Sequence, residues 1–444
     1  MSDERKRAER RVGWARAWAR AKQIVTTDPT GSVDDDHVVD EEAARVLAAN
    51  AGRLKGGLAK VAQLAAYDPS ATFGARREPG GASAAARAVL GGLWDHAPAI
   101  SGAAIARVIE DDLGAAPQAL FAKWDVSPIA SASLGQVHAA TLHDGTEVVV
   151  KVQYPGVAEA LRSDLDDVAF VRRLAGSEIG RSLDDDSLRA LGEAVRGELD
   201  YRAEAAAQHK FRAAWVGHRA LRFPQVVPER SSSRVLTMTR ARGKTIVEIA
   251  GSGSSDVRRQ AQIAIYEFAW GSPLVHRLLN ADPNPGNFLV DDQPDGGVYV
   301  WCLDFGCALE LPESVADADR ALWWGLVDDD FASAAERFRV GLAKADLLAR
   351  TDRLATIVHR EWERALAAPL ATHGEFHWSP AYASELASTT GRVLASGGLA
   401  LPARVLLLWR QRLGVAAVLG MLDEHAPFRR ILVDLIGTGK RALR

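Results

Sequence analysis

The order of four short segments constrains this chain more than anything else in it. They are Ala130-Ser-Ala-Ser-Leu-Gly-Gln-Val137, Val148-Val-Val-Lys151, Asp282-Pro-Asn-Pro-Gly-Asn287 and Asp304-Phe-Gly306. The first is a run of small side chains that lets a backbone approach a neighbour closely. The second sets a lysine in a β-branched run, which reads as strand. The last two offer an aspartate, an asparagine five residues on, and another aspartate closing the β-like run Val298–Leu303. Taken singly, such motifs are ordinary turns and caps. Taken in this order, they ask for a fold that gathers distant residues, from Lys151 to Asp304, around one point.

The remaining sequence supplies the bulk for such a fold and excludes several alternatives. With 444 residues, 48% of them hydrophobic and 25% charged, the chain can bury large cores and is not disordered as a whole. A net charge of -3 provides no general attraction for nucleic acid. Two cysteines, Cys302 and Cys307, are too few for a disulfide framework or a thiolate zinc site; they read as small buried hydrophobes in a reducing, cytoplasmic setting. The apolar stretch Leu413–Leu422 falls short of the roughly 20 residues of a spanning helix. The charged N-terminal residues lack the apolar segment of an export signal.

Patterning predicts helices over Ala43–Ala66 and Ser83–Leu113, with a turn-rich loop between Asp68 and Gly81. A small antiparallel sheet is expected from about Ser127, interrupted by helix from about Val157 to Phe211. After the Gly251–Ser255 break the chain should be mostly helical, and from Gly341 to Arg444 only helices are expected.

The small-residue loop and strand lysine have the spacing of a kinase nucleotide loop, with alanines at its first two glycine positions and Gly135 at its third. Ala130, Ser131, Ala132, Ser133, Leu134, Gly135 and Val137 would then cover ATP, and Lys151 would give a charge to its α- and β-phosphates. Asp282 would orient or deprotonate the attacking hydroxyl or water. Asn287 and Asp304 would bring oxygen ligands to Mg²⁺ bridging the phosphates. Such a site also needs a glutamate to hold the lysine, and Glu198, Asp200 and Glu204 are all in range. On a regular helix Asp200 and Glu204 share a face and Glu198 lies opposite, so periodicity leaves the choice open.

Together with Lys60-Val-Ala-Gln63, these residues make the chain resemble the UbiB/ADCK family of atypical kinase-like proteins, over about residues 45–340. The family's K-x-G-Q motif corresponds to Lys60–Gln63, its alanine-rich loop to Pro128–His138 and its E-x-D motif to Glu198–Asp200. The resemblance implies Glu204 as the partner of Lys151, with Glu198 and Asp200 engaging the Lys60/Gln63 helix across the site. It further implies an α+β, two-lobed protein-kinase-like fold: a helical N-terminal extension (1–125), a small antiparallel-sheet N-lobe (126–242) and a helical C-lobe (243–444).

Because the extension would cover the groove for a protein substrate, the implied activity is not protein phosphorylation. It is ATP hydrolysis, or phosphotransfer to a small molecule or lipid, in support of isoprenoid quinone or lipid metabolism. Implied partners are ATP, a lipid or quinone precursor and a second copy of the chain. Peripheral membrane contact would come through a basic helix bearing Trp14 and Trp18, which as a plain amphipathic helix would instead dock on the protein itself, or through a surface near Arg410, Arg412, Arg429 and Arg430. The chain departs from the family at Ala62, in place of glycine, and at Asn280, in place of histidine; it also lacks an Ala-Pro-Glu after Gly306. Two other readings remain: a phosphotransferase of the aminoglycoside or choline kinase type, and a non-catalytic nucleotide-sensing scaffold.

Overall fold

The computed structural model describes residues 102–132, 134–158, 196–197, 199–327, 340–341, 357–395 and 403–442. Trp14, Trp18, the helix expected over 43–66 with Lys60, Ala62 and Gln63, and also Ser133 and Glu198, lie outside the described residues.

Helix α1 (Gly102–Leu113) buries Ile105, Val108 and Ile109, a stripe at helical spacing. The short α2 (Pro117–Leu120) leads into an antiparallel meander of β1 (Lys123–Ala132), β2 (Gly135–Thr141) and β3 (Glu147–Gln153). After α3 (Tyr201–Ala214) and β4 (Leu221–Arg222), strand β5 (Val235–Thr239) joins the far side of β3. The sheet order is β1-β2-β3-β5, so β3 is interior, as its β-branched run suits. Alternation along β3 does the positioning. Val148, Val150 and Val152 face the core built with α1, whereas Val149 and Lys151 point to the opposite face, toward α3.

Two residues of the small-side-chain loop prove to be structural. Leu134, at the tip of the β1–β2 hairpin, is 2% exposed and packs with Ile105 and Val150, while its carbonyl accepts from Tyr154 N. Only its backbone can face a ligand. A Cβ on Gly135 would fall on the Val152 carbonyl, well inside van der Waals contact, so the β2–β3 ladder itself demands glycine there.

The larger lobe follows. Strand β6 (Lys244–Thr245) ends in a capping box, Thr245 with Glu248, that starts α4 (Ile246–Ser252). Helix α5 (Ser255–His276), buried on most sides, is its axis. Then come β7 (Leu278–Asn280), β8 (Phe288–Asp292), β9 (Val298–Cys302), β10 (Ala308–Glu310) and α6 (Glu313–Leu326). Strand β7 pairs with β10, and a second sheet runs β4-β9-β8-β6, so the two loops that carry Asp282 and Asp304 lie side by side. Cys302 and Cys307 are both buried, as expected.

The C-terminal part comprises α7 (Ile357–Ala367), β11 (Phe376–Trp378), α8 (Pro380–Ala395), α9 (Ala403–Leu422), β12 (Glu424–Ala426) and α10 (Phe428–Ala442). The expectation of helices alone is therefore corrected: β11 and β12 form an antiparallel pair, each too short to show alternation in sequence. The arginine surface expected for membrane contact is reduced: Arg430 is exposed and Arg429 half-buried, but Arg412 and Arg410 are not part of an open face. Arg412 is buried, donating to Asp319 Oδ2 at 2.9 Å and stacking over Trp270, and Arg429 donates to the Leu370 carbonyl. Arg410 points inward as well. Asp319 tolerates this burial as a partner of Arg412, although desolvation raises its carboxyl above the usual range.

His138 on β2 offers a test of this packing. Its Nδ1 lies 3.0 Å from the Asp125 carbonyl and therefore carries the hydrogen; the ring stacks on Trp124, and Nε2 is buried with no hydrogen-bond partner. Burial holds its pKa below the ordinary value, against the opposing pull of Asp125. The unfolded chain thus takes up a proton near pH 6.5 that the folded protein refuses, and stability should fall as pH drops from about 7 toward the depressed folded value. Urea midpoints should show that slope in the native chain and a shallower one in His138→Gln.

Candidate nucleotide and phosphotransfer site

Helix α3 begins where Asp200, in extended conformation, caps it: its carboxylate accepts from Arg202 N at 2.9 Å. Asp200 is therefore outside the helix and does not share a face with Glu204, contrary to the regular-helix expectation. Starting at Tyr201, the helix buries Tyr201, Glu204, Gln208 and Phe211 along one stripe. That stripe meets the lysine face of β3.

Lys151 Nζ donates to both oxygens of Glu204, at 2.9 and 3.0 Å, and to Asp304 Oδ2 at 3.0 Å, with the Tyr201 ring 5.0 Å away. Burial alone would lower the lysine pKa; the carboxylates of Asp304 and Glu204 outweigh it and drive the value well above normal. Glu204 is only 2% exposed, whereas the Asp304 side chain keeps 30% of its surface open. One carboxylate is thus a fixed anchor and the other faces outward. The second Asp304 oxygen accepts from Gly306 N at 2.9 Å, a turn that sends Phe305 inward against Phe211 of α3, with ring centroids 5.0 Å apart.

Asn280, at the end of β7, links the two loops. Its Nδ2 donates to the Asp304 carbonyl at 2.8 Å and its Oδ1 accepts from Asp282 N at 3.3 Å, so an amide holds both aspartate backbones. Asn287 Nδ2 donates to the Asp282 carbonyl at 3.1 Å and to its Oδ2 at 3.2 Å, which leaves the asparagine oxygen as the group suited to a cation. Among the described residues no cluster of three or more His, Cys, Asp or Glu could hold a metal alone. One carboxylate and one amide oxygen suit Mg²⁺ carried in with phosphate oxygens, the usual habit of that ion.

The sequence model of the ABC1 atypical kinase-like domain matches residues 92–338, more than half of the chain. This chain belongs to that family. Among curated relatives of the UbiB/COQ8 group it is 34% identical to "Atypical kinase COQ8B, mitochondrial" of Rattus norvegicus, over 48% of this chain and 42% of that protein. It is 34% identical to "Atypical kinase COQ8, mitochondrial" of Saccharomyces cerevisiae, over 47% and 40% of the two chains. With "Probable protein kinase UbiB" of Cellvibrio japonicus it shares 30%, over 48% and 39%. The matches span about two fifths of these relatives' length. Among solved structures, that of Rv3197 of Mycobacterium tuberculosis in complex with erythromycin superposes with a TM-score of 0.60 at 27% identity, covering 92% of this chain and all of that one. The two-lobed kinase-like fold expected from the sequence is thereby shown.

Within this ABC1-type fold, Ala130, Ala132 and Val137 lie on the β1–β2 hairpin adjoining Lys151, whose strand partner across β2–β3 is Val137. Sequence reasoning missed Arg410. The signal was present as arginines inside the otherwise apolar run of α9, but it was read as surface.

The Lys151–Glu204 pair should behave as a coupled unit. Lys151→Met leaves a buried carboxylate without its cation and should cost about 3–5 kcal/mol, whereas Lys151→Met with Glu204→Leu should recover much of that loss. Urea unfolding of both single variants and the double variant measures the coupling. Additive losses would show that the pair is not a structural unit.

Proposed function

We propose that this ABC1-family member is an ATP- and Mg²⁺-dependent enzyme, an ATPase or a kinase acting on a small molecule or lipid, in support of isoprenoid quinone or lipid metabolism. The observation that carries this reading is Lys151, held by Glu204 beside the outward-facing Asp304, with Asp282 and Asn287 on the adjoining loop. Lys151 would pass its charge to the α- and β-phosphates while keeping Glu204. Asp304 and Asn287 would hold the metal, which neutralises phosphate charge when bound. Asp282 would orient or deprotonate the acceptor hydroxyl or water. The hairpin carrying Ala130, Ser131, Ala132, Ser133, Leu134, Gly135 and Val137 would cover the nucleotide, chiefly through its backbone. Lys60, Gln63, Glu198 and Asp200 would regulate access and disfavour protein substrates. The names of the COQ8 and UbiB relatives support the kinase class, and a peripheral membrane location follows from a lipid substrate; among the described residues no helix is long and apolar enough to cross a membrane.

A second reading concerns the ligand. The neighbour whose match covers 92% of this chain is bound to erythromycin, which favours a macrolide-sized hydrophobic compound as ligand for this chain too.

Nucleotide turnover by the purified protein with Mg²⁺ tests the proposal, measured alone and with anionic-lipid vesicles, a phenolic quinone-precursor mimic or erythromycin. Turnover should rise with lipid or phenol and fall at least about 100-fold in Asp282→Asn and Lys151→Ala. Asp304→Asn should abolish Mg²⁺-dependent nucleotide binding while the chain stays folded, since Glu204 still pairs with Lys151. Tight nucleotide binding without turnover under any condition would establish the scaffold reading instead, and a response to erythromycin alone would favour the macrolide ligand.

A further inference from the structure

We propose that Arg410, on α9, is the phosphoryl-binding cation of this site, brought to the catalytic loop from the C-terminal helices. This inference rests on the nucleotide-site reading above. The stretch 278–307, which holds both loops, contains five aspartates and no Lys, Arg or His. A transferred phosphoryl group spreads negative charge over its oxygens, and a site built to move it needs fixed positive charge there. Lys151 sits on the strand side, between Glu204 and Asp304. The loop side has no cation of its own.

Arg410 supplies one. Its Nη2 lies 3.8 Å from Asp282 Oδ1, and the two side chains are 13% and 15% exposed, at the rim of the site rather than in open solvent. The helix that carries it is fixed on both sides of this residue. Gln411 donates to the Ala269 carbonyl at 2.9 Å, and Arg412 donates to the same carbonyl and to Asp319. Leu407 and Leu408 pack in the same cluster as Leu279 and Ala281, which flank Asn280 just before Asp282. Four neighbours within two turns of α9, Leu407, Leu408, Gln411 and Arg412, thus set the position of Arg410 relative to the catalytic loop.

The distance to Asp282 is that of an ion pair and too long for a hydrogen bond, so the guanidinium is not clamped onto the carboxylate. Its planar fork of donors can stay near Asp282 and also donate to a phosphate oxygen, a combination a point charge serves less well. A merely structural arginine would hold Asp282 in place and take no account of the terminal phosphate. The two roles differ in one observable, the preference for a triphosphate over a diphosphate.

The test is equilibrium binding of Mg²⁺ complexes of a non-hydrolysable ATP analogue and of ADP to the full chain and to Arg410→Ala and Arg410→Gln, with thermal midpoints as the folding control. Both variants should lose about tenfold or more in affinity for the ATP analogue. Their ADP affinity should stay within about twofold, and added guanidinium should restore part of the lost affinity of Arg410→Ala for the ATP analogue. Arg410→Gln keeps length and polarity and decides the matter if the alanine variant does not fold. Equal losses for both nucleotides, or an unchanged ratio, would falsify the assignment and leave Arg410 a structural partner of Asp282. Should the unaltered chain bind neither nucleotide, the nucleotide-site reading itself fails and this inference with it.

Discussion

One buried ammonium group ties the structure together. Lys151 Nζ sits between Glu204 of α3 and Asp304 of the loop after β9, so three distant parts of the chain meet at a single charge. A lone charge taken out of water costs several kcal/mol, and only close, hydrogen-bonded counter-charges offset it. The fold therefore has to deliver α3 to the lysine face of β3, and the inward turn of Phe305 against Phe211 braces the same helix from the other lobe. The two carboxylates differ in exposure, which gives the arrangement direction: Glu204 is a permanent partner, and Asp304 looks outward toward the loop of Asp282.

Much of this was legible in the sequence because chemistry at fixed spacing survives any uncertainty about element boundaries. Lys151, Asp282, Asn287 and Asp304 stood out by order alone. The partner of Lys151 did not, since three acids fall within seven positions and a regular helix was the only frame available. The structure chose by starting α3 at Tyr201, with Asp200 spent on the cap and Glu204 one turn in. Gly135 was legible as a required glycine, but the requirement comes from the Val152 carbonyl of the next strand, a cross-strand contact no local pattern reveals. Strands β11 and β12 were too short to register, and the arginines of α9 looked like a basic surface because burial of Arg412 depends on Asp319 in another helix.

The C-terminal helices belong to the site more than their indistinct sequence suggests. The family match ends at residue 338, yet α9 packs along α5 and brings side chains to the flank of the Asp282 loop. Asn280 makes a similar point on a smaller scale. Its side-chain amide spans from the Asp304 carbonyl to the Asp282 backbone amide, so one short polar residue links the two loops.

The most direct measurement is a crystal structure of the protein with Mg²⁺ and a non-hydrolysable ATP analogue. The account predicts the metal on Asp304 and Asn287, the terminal phosphate beside Asp282, and Lys151 turned from Asp304 to the α- and β-phosphates while its contact with Glu204 persists. A nucleotide bound elsewhere, or one bound in the cleft with Lys151 still on Asp304 and no metal at Asn287, would contradict it.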